Sequence, residues 1–484
     1  MPEIDWKPQK CSSVPLHQQI SNYLKNKIIN GEWTIGTKIP PQRNLAKLFE
    51  VNRSTIIFAL EELVADGLIE TKIGSGTTVI NNTWGLLASP PSPDWSHYVR
   101  TGMHKPNISI IQKINEAETQ SHITRLGTGE LSPDLLPHKQ MKLLLNLDNT
   151  QALSLSYLEP KGSLALRRTI SRHLKGKNID ASAESILIVS GGLQALQLIS
   201  IGLLKKGSTI LYESPSYLNS VHVFQSAGMN LLGISLDEEG MEYKTISRLK
   251  RLHQAALLYT IPTFHNPTGT LMSEKRRREL LNICQTEAIP IIEDDVYGDL
   301  SFEGPPPKPI KAVDVQGNVL YIGSVSKALS PGLRIGWIVG PEAVIERLAD
   351  IKMQTDYGSS SLSQYVVEKM ISSGLYEESL REIKIELKLR RDFTLKILGR
   401  YFSELATWNI PTGGFYIWLK LNAGISTRKL FEVALREGIL LNPGSVYDKN
   451  DDQHLRLSYS YASIDQLEKG LIQLANLIRN LDEQ

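Results

Sequence analysis

Four short apolar runs, each delivering a polar or glycine-bearing turn, constrain this chain more than any other feature of its sequence. Ile186–Val189 opens onto Ser190-Gly191-Gly192-Leu193-Gln194, and residues 255–259 precede Asn266-Pro267-Thr268-Gly269. Residues 289–292 lead into Glu293-Asp294-Asp295-Val296-Tyr297, and 319–322 into Ser324-Val325-Ser326-Lys327. Runs of this length bounded by turn signals read as buried strands, so each turn stands at a strand end. The last turn constrains most: Lys327 follows two serines and precedes Arg334, which closes a Pro331-Gly332 turn.

A lysine beside a desolvating strand can lose its proton and attack an aldehyde. Ser324, Ser326 and Arg334 supply hydroxyls and a guanidinium that would hold a phosphate dianion. Lysine, aldehyde and phosphate together point to pyridoxal 5′-phosphate (PLP). A lone Ser-x-Ser-Lys would read better as a solvated lysine, but partners precede it in order. A carboxylate at the end of a buried strand is costly unless paired, and a protonated pyridine nitrogen would pair Asp294. Asn266 and Tyr297 could both donate to the ring's phenolic oxygen. The turn at Gly192, Leu193 and Gln194 opens a helix-like stretch, 195–204, and would offer backbone N–H groups to an anion. Tyr217 could stack on the pyridine face or be an ordinary strand-end tyrosine. Arg456 lies in an otherwise apolar strand, where a guanidinium wants a carboxylate, either a substrate's or that of a structural salt bridge.

These segments resemble the fold-type I, class-I aminotransferases over roughly residues 115–484. The resemblance implies Lys327 as the Schiff-base lysine, Asp294 on the pyridine nitrogen, and Asn266 and Tyr297 on the phenolic oxygen. It also implies Tyr217 on the ring, Ser324, Ser326, Arg334 and Gly192–Gln194 on phosphate, and Arg456 on a substrate or effector carboxylate. Leu193 departs from the family, which more often has a polar residue there; backbone donors survive that change.

The first eighty residues differ. Leu16, Ile20, Leu24 and Ile28 recur every four residues up to Asn30-Gly31, an amphipathic helix with a glycine stop. A short helix carries Leu45, Ala46, Leu48 and Phe49; after Asn52, a good N-cap, a third buries Ile56, Ala59, Leu60 and Leu63 and stops at Gly67. Residues 68–73 and 77–80 are β-rich and flank Gly74-Ser75-Gly76, so the pattern is a winged helix-turn-helix. Arg53, Ser54 and Thr55 open the third helix away from its apolar stripe, where recognition helices meet DNA. Charge adds nothing, since residues 1–80 hold nine Lys/Arg against eight Asp/Glu.

Pro15-Leu16-His17-Gln18-Gln19-Ile20, Pro40-Pro41-Gln42-Arg43-Asn44-Leu45-Ala46 and the segment from Leu60-Glu61-Glu62-Leu63 to Gly67-Leu68-Ile69 resemble the GntR family of bacterial repressors over residues 13–80. The resemblance implies contacts to double-stranded operator DNA from Arg43, Asn52, Arg53, Ser54, Thr55 and the wing at Gly74. Gln42 stands where a serine is usual. Residues 81–115, proline-rich at 88–94 and carrying Trp84, Trp95 and Tyr98, read as an interdomain linker. A GntR head joined to an aminotransferase-like body (116–484, with a small α+β subdomain from about 345) resembles the MocR subgroup of transcription regulators. The expected architecture is therefore multidomain, a winged helix-turn-helix plus an α/β PLP-binding body.

A net charge of +2 with 41% hydrophobic residues fits an ordinary soluble protein. No apolar run approaches a membrane span, no signal peptide opens the chain, and Cys11 and Cys284 form no disulfide framework or metal motif. A cytoplasmic homodimer without membrane or metal partners is expected. Lys275-Arg276-Arg277-Arg278 reads as a solvated helix face. The expected function is a regulator that senses PLP, or an amino acid or amine effector, through an aldimine. The alternative is a working aminotransferase with a DNA-binding appendage: no group needed for transamination is missing, although turnover is not expected to be the main role. A dimerisation scaffold is a weaker third reading, since Lys327 and Asp294 are both retained.

Overall fold

Four-residue spacing of apolar side chains makes helix α1 (Leu16–Ile29) in the computed structural model; it buries Ile20, Leu24 and Ile28 against α3 (Arg53–Ala65). Between them, α2 (Gln42–Phe49) buries Leu45 and Phe49 and ends at Glu50 in the left-handed region, φ 55°. The structure describes residues 4, 6–72, 76–81, 98, 101–102, 108–145, 156–422 and 424–482. The chain divides into two units, Met1–Gly102 and Met103–Gln484. In the first, Ile69–Lys72 and Gly76–Val79 form the hairpin, and Lys38–Ile39 adds a third strand against Gly76–Val79. Trp6, before the expected start at residue 13, stacks on Tyr23 at 4.6 Å and joins this core, as does buried Trp33.

In the second unit an eight-stranded sheet runs, in spatial order, Ile186–Val189, Gly336–Val339, Val319–Ser324, Ile291–Asp294, Ala255–Thr260, Thr209–Ser214, Asn230–Asp237 and Gly240–Met241. The strands from Val319–Ser324 to Asn230–Asp237 are mutually parallel, whereas Gly336–Val339 is antiparallel to both its neighbours. Successive side chains alternate faces: Leu257 and Tyr259 join one core cluster, Leu258 the other. Both faces are covered, which is why these strands read as unbroken apolar runs. The parallel strands thus end on one edge, and that edge carries the turns of interest.

A four-stranded antiparallel sheet (Ala406–Trp408, Tyr416–Leu421, His454–Ser458, Asn442–Pro443) packs with the helices Leu375–Tyr401, Thr427–Arg436 and Ile464–Asp482. Thr124–Arg125 pairs with Ile439–Leu440, so an early segment completes the late subdomain expected from about 345. The proline-rich stretch 88–94, with Trp84 and Trp95, lies outside the described residues. Across its expected end at about 115, Ser109–Ala117 is a helix whose Ile111, Ile114 and Ala117 are buried in the body's core. No helix among the described residues is long and apolar enough to cross a membrane.

Candidate functional site

At the carboxyl edge of the large sheet, a cavity of about 760 Å³ collects Gly192, Leu193, Tyr217, Asn266, Asp294, Tyr297, Ser324, Ser326, Lys327, Arg334 and Arg456. Asp294 is the last residue of its strand and Ser324 of the next, so the ladder pairing Asp294 with Ile322 sets their offset. Lys327 lies three residues beyond Ser324, and its Nζ donates to the Gly129 carbonyl at 2.6 Å. Gln194, expected with this group, does not line the cavity. Its amide oxygen accepts from Ser190 N–H at 2.7 Å and its amide nitrogen donates to Asp356, which braces the turn from behind.

Gly191 caps the helix Gly192–Leu203 at φ 90°, and a Cβ there would come within 2.7 Å of an Arg334 guanidinium nitrogen. Arg334 donates to the Ser190 carbonyl at 2.9 Å, so the guanidinium and the helix N-terminus face the cavity together. The Ser324 hydroxyl accepts from Ser326 N–H at 3.1 Å and donates within its own loop.

Asp294 is buried, accepts from the Tyr259 hydroxyl at 2.8 Å, and has its carboxyl pushed up to about 6 by burial. Burial also raises the Tyr217 phenol to about 12. Tyr297 and Tyr416 share a hydroxyl contact of 2.8 Å, and burial holds the Tyr297 phenol well above its ordinary value. Arg456 is buried beneath the rings of Tyr416 (4.2 Å) and Tyr447 (4.9 Å). It donates to the Asn266 amide oxygen at 2.8 Å and the Gly127 carbonyl at 2.7 Å; its Nε has no partner, and no carboxylate hydrogen-bonds it among the described residues. With its oxygen engaged, Asn266 has its Nδ2 left to donate.

Sequence reasoning missed Tyr259, Tyr416, Asn442 and Tyr447. The one available signal was Gly127-Thr128-Gly129: a Cβ at Gly127 would collide with Asn442, and one at Gly129 with the Tyr416 hydroxyl. The basic run 275–278 also needs correction. Arg277 is buried and donates to the Pro262 carbonyl at 2.8 Å and the Thr263 hydroxyl at 3.0 Å, pinning the segment that leads to Asn266. Arg276 pairs with Asp237 at 2.8 Å.

On the N-terminal unit, Arg43, Asn52, Arg53 and Ser54 are exposed and Thr55 half-buried. Asn52 is the N-cap of α3 by position, but its side chain makes no capping bond. Arg53 donates through Nε (3.3 Å) and Nη2 (3.2 Å) to the Gln42 amide oxygen. Gly74 lies outside the described residues.

The chain matches two family models: "Aminotransferase class I and II" over residues 121–473 and "Bacterial regulatory proteins, gntR family" over 16–79. It is 54% identical over 476 residues to the uncharacterized HTH-type transcriptional regulator YisV of Bacillus subtilis, covering 98% of each chain. To the HTH-type transcriptional regulator NorG of Staphylococcus aureus strain N315 it is 36% identical, covering 92% of this chain and all of that one. Kynurenine aminotransferase of Pyrococcus horikoshii, solved in complex with PMP, superposes with a TM-score of 0.73 at 33% identity, covering 78% of this chain and 95% of that one. LysN, an α-aminoadipate aminotransferase of Thermus thermophilus solved with N-(5′-phosphopyridoxyl)-L-leucine, gives 0.72 at 26% identity, covering 80% and 98%.

Proposed function

Because the chain belongs to the MocR subgroup of GntR-family transcription regulators, a DNA-binding winged helix-turn-helix joined to an aminotransferase-like body, we propose that the body holds PLP on Lys327 and reports an amino-group effector to the DNA-binding unit. One observation carries this reading. Lys327, the buried carboxyl of Asp294 and a buried Arg456 that has no carboxylate partner among the described residues line a single cavity. Bound PLP supplies an aldehyde for amine exchange and a ring that withdraws electrons.

The residues fit that group. Asp294, whose charge is disfavoured by burial, gains a cationic partner in a protonated ring nitrogen. Asn266 Nδ2 and the Tyr297 hydroxyl are donors for the phenolic oxygen, and Tyr217 is the aromatic for the ring face. The N–H groups opening Gly192–Leu203, with Ser324, Ser326 and Arg334, suit a phosphate. Arg456 suits the bidentate grip of a carboxylate, braced by Asn266 and the Gly127 carbonyl. Arg43, Asn52, Arg53, Ser54, Thr55 and the wing at Gly74 are the proposed contacts to operator DNA. Two copies of the chain would read paired half-sites, about one helical turn apart or a multiple of it.

A working aminotransferase is the rival. The regulators YisV and NorG match along nearly the whole chain, whereas the aminotransferase structures match the body, which favours the regulator. The test is an operator titration on the PLP-loaded chain with a panel of amino acids and amines. The expected result is that one of them changes operator affinity, that Arg456→Ala abolishes the response to carboxylated effectors, and that borohydride fixes the cofactor's mass on Lys327. An adduct that persists in Lys327→Ala would overturn the cofactor assignment. Operator affinity indifferent to every amine, beside enzyme-like keto-acid production, would favour the rival.

A further inference from the structure

We infer that Gln42 is a positioning residue that aims Arg53 at a guanine, and so sets base preference without touching the base itself. The inference rests on the DNA-reading role proposed above for α3. Gln42 is the first residue of α2 and Arg53 the first of α3; the chain between them runs the length of α2 and a short turn, and the two side chains meet across it. The single Gln42 oxygen takes both Nε (3.3 Å) and Nη2 (3.2 Å) of Arg53, the side edge of the guanidinium fork. The end edge, Nη1 with the second hydrogen of Nη2, has no hydrogen-bond partner among the described residues. A guanidinium edge with two parallel N–H groups matches O6 and N7 of guanine in the major groove, and no other base offers two acceptors there.

Arg53 is exposed; Gln42 is half-buried and stands on the first turn of its helix. An unbraced arginine must be immobilised when it binds, which lowers affinity by about two- to tenfold. That loss falls on the base Arg53 reads and on no other. A side chain too short to reach the fork, such as serine or alanine, would leave the arginine to swing between the base and neighbouring phosphates.

The experiment is selection from a random-sequence duplex library with the full PLP-loaded chain, followed by affinities for single-base variants of the selected site. Wild type, Gln42→Ala, Gln42→Glu, Arg53→Ala and the double variant Gln42→Ala/Arg53→Ala are compared. Arg53→Ala should erase preference at one guanine per half-site. Gln42→Ala should weaken preference at that same guanine about two- to tenfold, leave the salt dependence of binding unchanged, and add nothing in the double variant. Gln42→Glu keeps the acceptor, so it should keep the guanine preference while lowering affinity for all sequences through charge repulsion from phosphate. Alanine suits a helix's first turn, and a circular-dichroism melt separates misfolding from lost aim. If Gln42→Ala leaves every base preference intact, or shifts one that Arg53→Ala does not, the positioning role is wrong while the regulator reading stands. A wild-type chain that selects no sequence would overturn both.

Discussion

Burial lifts the Asp294 carboxyl from 3.8 to about 6 and that of neighbouring Glu293 from 4.5 to about 7, so both cost stability once ionised inside the fold. The sign follows from proton linkage. A folded-state value above the unfolded one gives stability that is complete below about pH 4 and is lost as pH rises through 6 to 7. Between pH 5 and 8 the PLP-free chain should therefore lose stability through these groups. Asp294→Asn should remove its share, on the order of 2–3 kcal/mol. If a charged ring nitrogen is the partner of Asp294, loading with PLP should raise the melting temperature more at pH 8 than at pH 5. Melts of loaded and unloaded protein across that range check it, and an equal gain at both ends would deny Asp294 the ring nitrogen. Asp294 was legible in the sequence because a carboxylate closing an apolar run has few explanations. Tyr259, which holds it at 2.8 Å, was not, since a tyrosine inside a strand reads as core until the neighbouring strand is in place. Arg277 was misread for the same reason: its partners include the Pro262 carbonyl and the Thr263 hydroxyl, some fifteen residues upstream, and the Lys308 carbonyl about thirty residues downstream.

At the level of elements, the helix-turn-helix and the parallel strands were plain from periodicity, while pairing was not. Gly336–Val339 is inserted antiparallel between Ile186–Val189 and Val319–Ser324; its pairing with Val319–Ser324 is local, but its pairing with Ile186–Val189 joins residues some 150 apart in the chain and follows from no local pattern. That insertion matters to the site, because Arg334 arrives just before this strand and meets Gly191 just after Ile186–Val189. Gly191 is the hinge of that meeting. Its φ of 90° with ψ of 170° belongs to a region open essentially to glycine, costing about 1–3 kcal/mol for any other residue. Gly191→Ala should also push Arg334 off the Ser190 carbonyl. The expected outcome is PLP affinity weakened at least about tenfold, in a chain whose far-ultraviolet circular dichroism is unchanged. Equilibrium dialysis against PLP measures it, and undiminished affinity would mean the glycine turn does not face phosphate. Leu48 shows the limit of periodicity at this scale: it lies 44% exposed beside buried Leu45 and Phe49, because a helix of eight residues offers the core only a narrow stripe.

For the molecule as a whole, a body that holds an effector and a unit that holds DNA are useful to each other only if each ligand distinguishes the same two arrangements of the chain. Linkage then makes the coupling reciprocal. If saturating effector changes operator affinity by some factor, saturating operator must change effector affinity by that same factor, typically about 5- to 150-fold. An enzyme with an inert DNA-binding appendage has no such obligation. Persistence also separates the two. A signal lasts while the amine stays bound, so a sensor gains by holding its effector, whereas a transaminase must release keto acid and accept a second substrate. The chain should therefore show matched coupling factors in the two titrations, with turnover far below the ~10 s⁻¹ common among enzymes. Operator titrations with and without effector, effector titrations with and without operator, and a coupled keto-acid assay on one preparation measure all three quantities. Coupling factors of one in both directions, with turnover near the enzyme value, would make the body an aminotransferase that happens to be tethered to DNA.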